Sequence, residues 1–222
     1  TAEGLNYYLS REQYGKQALL YGPSYNASPD YSDPYIIGKA IYEPNYETGR
    51  YDVIDHSLAI RYKKEHMNFF PRIANDLSQY RENYKTLTGL KEGEIPTFGD
   101  NLHFFLTYQL GHMNMRYFLW NFAGRQNDYQ GRGEPHKGNW ITGIRPLDEM
   151  RLGPQEPTSD HLGNNAAHNV YYMLPLILGL VGMFFHFLRH QKDAYCVLLF
   201  FLITGVGITI YTNNPPYEPR ER

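Results

Sequence analysis

The sequence predicts a mainly α-helical integral membrane protein, in which an irregular α+β domain precedes a transmembrane helical hairpin. The mean hydropathy of the chain, -0.56, is that of a soluble protein, but its apolar residues are concentrated near the C-terminus. Two apolar runs there, 170–188 and 194–211, are each long enough to cross a bilayer. The first half is instead rich in Tyr, Pro, Gly, Asn and Asp, which is typical of turns and short strands.

Residues 1–165 are expected to form one tyrosine-rich α+β domain. The segment Tyr46–Tyr51 predicts a β-hairpin with Gly49 at its turn. The segment 70–88 alternates in charge and predicts a helix of moderate length. The amphipathic tyrosines can pack inside this domain, cover a sugar-binding surface or lie at a membrane interface, and the sequence leaves these alternatives open.

Residues 100–123 predict a helix that is covered on nearly all sides, because its apolar residues recur at almost every helical angle. Asp100, just before the apolar run, is the expected N-cap. Two polar stripes run along this helix, and one of them contains Gln109, His112 and Arg116. Since arginine and histidine are costly in lipid, we expect the helix to lie inside the protein near the membrane interface; a true span is the alternative.

The predicted hairpin occupies residues 166–213. Its first run, 170–188, has 19 residues and a helical length of about 28 Å, which matches the hydrocarbon core of a bilayer. The polar turn 189–193 separates it from the second run, 194–211. Tyrosines stand at the ends of both runs, where aromatic belts form. A buried helical pair in a soluble protein is the alternative reading.

The turn between the two runs contains Arg189 and Lys192, which predicts that it is cytoplasmic. The domain 1–165 and the tail 214–222 would then lie together on the extracytoplasmic side, in the periplasm if the membrane is a bacterial inner membrane. The polar loop Arg125–Asp128 and the tail residues 218–222 would therefore share one side of the membrane. A solvated helix exit with glycine caps is the alternative for the loop.

Composition excludes several other classes of protein. The chain has 21 basic and 23 acidic residues, so it lacks the basic excess of a nucleic-acid binder. The single cysteine, Cys196, cannot form an internal disulfide. No glycine-rich phosphate loop, nucleophile elbow or cysteine–histidine metal pattern occurs, so we assign no metal and identify no cofactor. Because the chain starts at Thr1 without a signal sequence, we expect it to be part of a longer protein.

Three stretches carry a resemblance to a known family. Residues 117–128, which read YFLWNFAGRQND, resemble a signature of a large family of bacterial multi-span membrane proteins related to protein O-mannosyltransferases. Residues 163–176 and 213–222 are similar to the start and the exit of that family's membrane hairpin. The segments 11–15 and 19–23 also fit.

The resemblance implies a fragment of a larger enzyme with the type C glycosyltransferase fold. Such an enzyme moves a sugar, here expected to be mannose, from a polyprenyl-phosphate donor to Ser or Thr hydroxyls of a protein acceptor. Its catalytic base is expected outside this segment, so no catalytic residue is assigned. The expected partners are membrane lipid, the lipid-linked donor and the protein acceptor. The residues expected to bind donor or substrate are Trp120, Asn121, Arg125, Gln126, Asn127, Asp128, Glu218, Arg220, Glu221 and Arg222.

Two alternatives remain at this point. The arginines and carboxylates of the loop and the tail can instead form a structural network that holds the domain to the hairpin. The whole chain can also be a non-catalytic membrane component of the cell envelope, whose polar domain binds a protein partner.

Overall fold

A computed structural model describes residues 18–73, 78–155 and 165–217 of the chain. Its helices are α1 (Ser78–Thr88), α2 (the consecutive segments Phe98–Phe104, Phe105–Met115 and Arg116–Phe122), α3 (Arg145–Leu152), α4 (Leu174–Arg189) and α5 (Gln191–Thr212). Its strands are β1 (Tyr21–Pro23), β2 (Tyr35–Asn45), β3 (Arg50–Ile60), β4 (Met67–Phe69), β5 (Gly124–Arg125) and β6 (Asn169–Val170). The strands pair as β1 with β4, β2 with β3, and β5 with β6, each pair antiparallel.

The prediction of a mainly α integral membrane protein of the type C glycosyltransferase fold is wrong. The described residues form a small α+β arrangement of five helices and three two-stranded sheets. Among these helices only α5 is long and apolar enough to cross a membrane. The predicted hairpin of two spans therefore reduces to one candidate span and a shorter apolar helix before it.

The first apolar run is shortened at its N-terminal end by the fold of the domain. Val170 pairs with Gly124 in the β5–β6 sheet, so it is strand and not helix. Tyr172 and Met173 then adopt positive φ, which prevents a helix from starting before Leu174. The resulting helix α4 has 16 residues, about 24 Å in length, and falls short of the roughly 20 residues that a span needs.

The second apolar run is α5, a continuous helix of 22 residues. Only 6% of its most apolar window is buried against the rest of the described structure, so α5 is not the core helix of a soluble domain. The neighbouring α4 also exposes its large apolar side chains, among them Leu178, Phe184 and Leu188. Exposure of the combined apolar surface of α4 and α5 to water would be energetically unfavourable.

Helix α2 lies against α5 and runs antiparallel to it. Three contacts show this direction, because the residue numbers fall along α2 as they rise along α5. They are the ring pair Phe118–Phe201, the hydrogen bond from Asn114 to Thr209, and the hydrogen bond from Gln109 to Asn213. The N-cap of α2 is Thr97, whose hydroxyl accepts from the backbone N–H of Asp100, while the Asp100 carboxylate accepts from the backbone N–H of Thr97. Asp100 thus completes a capping box and is not itself the cap.

The middle of α2, Phe105–Met115, is a π-helix. Its hydrogen bonds span five residues instead of four, so the side chains of this segment rotate away from the positions that a regular helix gives them. The two predicted polar stripes nevertheless lie on differently covered sides of α2. Gln109 and Arg116 are buried, whereas His103 is exposed.

The core lies where α1 and the first part of α2 meet the segment before β2. The ring of Tyr84 packs against Phe104 and Tyr25 at centroid distances of 4.9 and 5.1 Å. Its buried hydroxyl donates to Asn101 at 2.7 Å, which satisfies the polar end of this side chain. The described part of helix α1 is Ser78–Thr88, and the positive φ of Phe70 and Ile73 excludes the first residues of the predicted helix over 70–88.

The predicted hairpin around Gly49 is confirmed, and it is much longer than the six residues that predicted it. Strands β2 and β3 have 11 residues each and pair along their whole length, and Gly49 has φ of +67° in the turn.

Candidate functional site

The candidate site lies at the C-terminal end of α2, where one indole ring has two guanidinium groups close to it. The Cζ atom of Arg125 lies 4.1 Å from the ring centroid of Trp120, and that of Arg116 lies 5.1 Å from it. Trp120 and Arg116 are buried. Each such cation–π contact stabilises by roughly 0.5–2 kcal/mol, more where water is excluded. The two cations converge on one place and make it favourable for an anion.

Arg125 is positioned by the short β5–β6 sheet. Its backbone N–H donates to the Asn169 side chain at 2.9 Å, and its Nε donates to the Asn127 carbonyl at 3.0 Å. The preceding Gly124 has φ of +159°, and a Cβ there would lie 2.9 Å from the carbonyl oxygens of Asn169 and Ile141. Because glycine has no Cβ, the backbone at Gly124 can approach those of Asn169 and Ile141 this closely. The close approach fixes the orientation of the next residue, Arg125.

Two of the predicted binding residues, Gln126 and Asn127, have structural roles in the loop after α2. The buried Asn127 side chain accepts from the backbone N–H of Gly138 at 2.8 Å and donates to the His136 carbonyl at 2.8 Å. The Gln126 amide donates to the Pro135 carbonyl at 2.9 Å. These bonds close the loop onto itself, and they use the polar groups that a ligand would need.

Two further predicted residues lie at the rim of the site. Asn121 is exposed and donates to the Tyr117 carbonyl one turn earlier on α2. Asp128 is exposed and accepts from the Asn165 side chain at 2.7 Å. Glu218, Arg220, Glu221 and Arg222 lie outside the described residues.

Sequence reasoning did not include His112 and Arg116 among the site residues. Both precede Trp120 on α2, and the spacing of four residues among positions 112, 116 and 120 was the signal that they share one side of the helix. Burial and the nearby Arg116 lower the pKa of His112 to about 4, so its imidazole is neutral at pH 7.

Two buried nitrogen atoms of this cluster lack a hydrogen-bond partner among the described residues. They are Nε1 of Trp120 and Nε2 of His112. A buried indole N–H without an acceptor costs about 1–3 kcal/mol. Such groups in a polar cluster indicate a place where a ligand or a water molecule supplies the missing hydrogen-bond partners.

The last described residues bring the exit of α5 to the same part of α2. The backbone N–H of Tyr217 donates to the Tyr108 hydroxyl at 2.6 Å, and the Tyr217 ring lies 6.2 Å from that of His112. Arg132, from the loop after α2, lies over the Tyr217 ring at 5.1 Å. The described parts of the three stretches that carry the resemblance therefore meet around the second half of α2; these parts are 117–128, 165–176 and 213–217.

A second buried cation, Arg72, lies near the start of this exit segment. Its guanidinium lies 3.9 Å from the Phe70 ring centroid and donates to Gln109 and to the Ile210 carbonyl at 3.4 and 3.3 Å. Burial lowers the pKa of Arg72 to about 10. These contacts join the end of α5 to α2, which is a structural role.

No group of three or more His, Cys, Asp or Glu side chains in the described ranges is arranged to hold a metal ion.

Comparison with known proteins gives one match. The sequence model of a family of unknown function, DUF8416, matches residues 15–106. No curated protein and no solved structure matches the chain. The matched segment covers strands β1 to β4, helix α1 and the first part of α2, and it ends before the cluster around Trp120.

Proposed function

We propose that this chain is the part of a membrane glycosyltransferase that binds a polyprenyl-phosphate sugar beside the membrane. The sugar is mannose, and it is transferred to Ser or Thr hydroxyls of a protein. The observation that carries the proposal is the placement of Arg116 and Arg125 against one largely buried indole ring, that of Trp120, on the helix that lies along α5.

The chemistry of the donor matches the groups of this cluster. A guanidinium presents its N–H groups in a planar fork that binds two oxygens of a phosphate at once. An indole ring offers an apolar surface against which a sugar ring can pack. The unpartnered N–H of Trp120 adds a donor for a phosphate or hydroxyl oxygen.

In this proposal the cluster lies next to lipid. Helix α5 would cross a bacterial inner membrane, and residues 1–165 would face the periplasm. Phe118 of α2 contacts Phe201 of α5, so the site would lie within a short distance of the membrane surface. A donor whose prenyl chain stays in the bilayer can then reach the site with its phosphate.

A binding measurement tests the proposal directly. The detergent-solubilised chain is titrated with a short-chain polyprenyl phosphate, with the uncharged polyprenol as comparison. Binding is followed by the fluorescence of Trp120 in a Trp140→Phe background, since these are the two tryptophans of the chain. We expect Arg125→Ala to weaken binding roughly 10- to 100-fold, because a hydrogen bond to a charged group contributes about 1.5–3 kcal/mol.

The matched control is Arg189→Ala. Arg189 also lies over an aromatic ring, with Cζ 5.7 Å from the Phe185 ring, but it is the last residue of α4, at the end of that helix away from the β5–β6 sheet. The control should leave the affinity for polyprenyl phosphate unchanged. Equal affinity of the chain for phosphate and polyprenol, or equal losses in the two variants, would contradict the proposal. Mass spectrometry of envelope proteins from cells with the wild-type and Arg125→Ala genes then tests transfer, as a loss of hexose from Ser or Thr.

A further inference from the structure

The β2–β3 hairpin has one predominantly apolar face. The paired residues Tyr35 and Ile60, Ile37 and Leu58, Tyr42 and Val53, and Pro44 and Tyr51 lie directly opposite each other on this face. The pair Ala40 and His56 lies on it between them, so the face also carries one imidazole, but none of these pairs contains Lys, Arg, Asp or Glu. The opposite face carries the charged residues Glu43, Arg50, Asp52 and Asp55.

Two β-bulges keep these apolar residues on one side. The first adds a residue to β2 between Ile37 and Ala40, and the second adds one to β3 opposite Ile41 and Tyr42. Each bulge shifts the alternation of its strand by one residue, so the apolar pairs on either side of the bulges stay in phase. Gly38 occupies the first bulge, where a Cβ would lie 2.5 Å from the Ser57 hydroxyl.

Nothing in the described ranges covers this apolar face. Seven of its side chains are each more than half exposed, namely Tyr35, Ile37, Tyr42, Tyr51, Val53, Leu58 and Ile60. A two-stranded hairpin with an uncovered apolar face is at best marginally stable in water. The face therefore indicates an interaction surface.

The edges of the hairpin do not favour addition of another strand. Both strands are edge strands, each is interrupted by a bulge, and β2 contains Pro44, which has no N–H to donate. Bulges and proline are the features by which natural sheets prevent pairing at an edge. A partner is therefore expected to pack on the apolar face of the hairpin and not to pair with its edges.

We propose that a second copy of this chain covers the face, with the two hairpins packed face to face about a two-fold axis. An isologous contact uses the same surface patch of both copies, and the paired residues of this face include no Lys, Arg, Asp or Glu that would repel the other copy. At roughly 100 Å² for each exposed side chain, the seven residues offer about 1,400 Å² across a pair of copies, which exceeds the roughly 1,000 Å² of a specific interface.

Charge favours a second copy over an anionic lipid surface. The hairpin 35–60 has four acidic and two basic residues, whereas segments that bind anionic lipids are basic. In a face-to-face pair the acidic side chains of Asp52 and Asp55 point away from the contact. Two sheets and a layer of side chains then separate them from their copies, a distance over which salt screens most of the repulsion.

The test is the oligomeric state of the full chain in detergent, measured by light scattering and sedimentation. We expect a dimer whose dissociation constant rises at least 10-fold in Leu58→Glu. The matched control is Ala59→Glu, the neighbouring residue on the opposite face, which should change the dissociation constant less than 2-fold. Circular dichroism shows whether both variants keep the fold.

Thiol labelling makes the test independent of the folding of the glutamate variant. In a Cys196→Ser background, dimer formation at high protein concentration should protect Leu58→Cys from a thiol reagent and should leave Ala59→Cys reactive. A chain that stays monomeric at 100 µM, or a dimer that Leu58→Glu leaves unchanged, overturns the proposal. Loss of binding to uncharged lipid vesicles in Leu58→Glu, without a dimer in the wild type, would assign the face to lipid instead.

Discussion

Tyr217 packs edge-on against Tyr108, with ring centroids 5.3 Å apart and planes at 79°, and its backbone N–H donates to the Tyr108 hydroxyl at 2.6 Å. This pair attaches the chain that leaves α5 to the π-helical part of α2. Since Tyr217 also lies beside His112, the pair links the apolar helix to the candidate site. The pair is therefore one of the contacts that fix the position of the site relative to α5.

Removing the hydroxyl of this contact is expected to weaken the attachment without removing the ring packing. We predict that Tyr108→Phe lowers the free energy of unfolding by about 1 kcal/mol, the contribution of one hydrogen bond. Thermal unfolding in detergent measures the change. Tyr195→Phe, which removes a hydroxyl from an exposed ring on α5, is the control and should leave stability unaltered. An equal change in both variants would show that the Tyr108 hydrogen bond does not hold the exit segment.

The low pKa of His112 predicts a stability that depends on pH. The pKa falls from its ordinary value of 6.5 to about 4 in the folded chain, mainly because of burial and secondly because of Arg116. Between these two values the unfolded chain binds more protons than the folded chain. The contribution is therefore fully present above pH 6.5 and is lost as the pH falls toward 4, by about 3 kcal/mol over the whole interval.

The measurement is the free energy of unfolding in denaturant between pH 4 and pH 7. We expect the free energy of unfolding of His112→Gln to fall much less than that of the wild type as the pH is lowered from 7 to 4. His103→Gln is the control, because His103 is exposed on the same helix. If the pH dependence of His112→Gln matches that of the wild type, His112 is not the residue responsible.

The close approach at Gly124 predicts a selective effect on the site. In Gly124→Ala the new Cβ would lie 2.9 Å from two carbonyl oxygens, so the β5–β6 sheet must open and Arg125 must move away from Trp120. We expect a loss of about 2–4 kcal/mol in stability and a changed Trp120 fluorescence. Gly133→Ala is the matched control: it has φ of +107° in the same loop, but nothing lies within 4 Å of its Cβ. Gly133→Ala should lower the free energy of unfolding only by the backbone strain, about 1 kcal/mol. If it lowers stability as much as Gly124→Ala does, then backbone strain and not the close approach explains the effect of Gly124→Ala.

Local sequence patterns identified several elements correctly because each depends on neighbouring residues. Gly49 between two alternating stretches predicted the β2–β3 turn, and the continuous apolar run of 194–211 predicted α5. The sequence did not reveal the limit of α4, since Val170 becomes strand only by pairing with Gly124, which is 46 residues earlier. The first predicted span was therefore too long at its start, because residues 170–173 belong to the domain and α4 begins only at Leu174.

The candidate site could be predicted only in part for a similar reason. Trp120 and Arg125 were identified from a short run of sequence, and they do lie together. Gln126 and Asn127 belong to the same run, but the loop uses their amides internally. His112 and Arg116 lie outside the run, on a polar stripe of α2 that nothing in the run connects with Trp120.

The sequence by itself determined the local features: the apolar character and length of α5, the hairpin turn at Gly49, and the absence of a charge excess. The tertiary structure alone decided where α4 begins, which polar groups of the loop are free, and that His112 and Arg116 join Trp120. The physical reason is that hydropathy and turn preferences act between neighbours in the chain. Strand pairing, burial and the approach of Gly124 to Asn169 act between residues far apart in sequence, and these interactions override the local pattern.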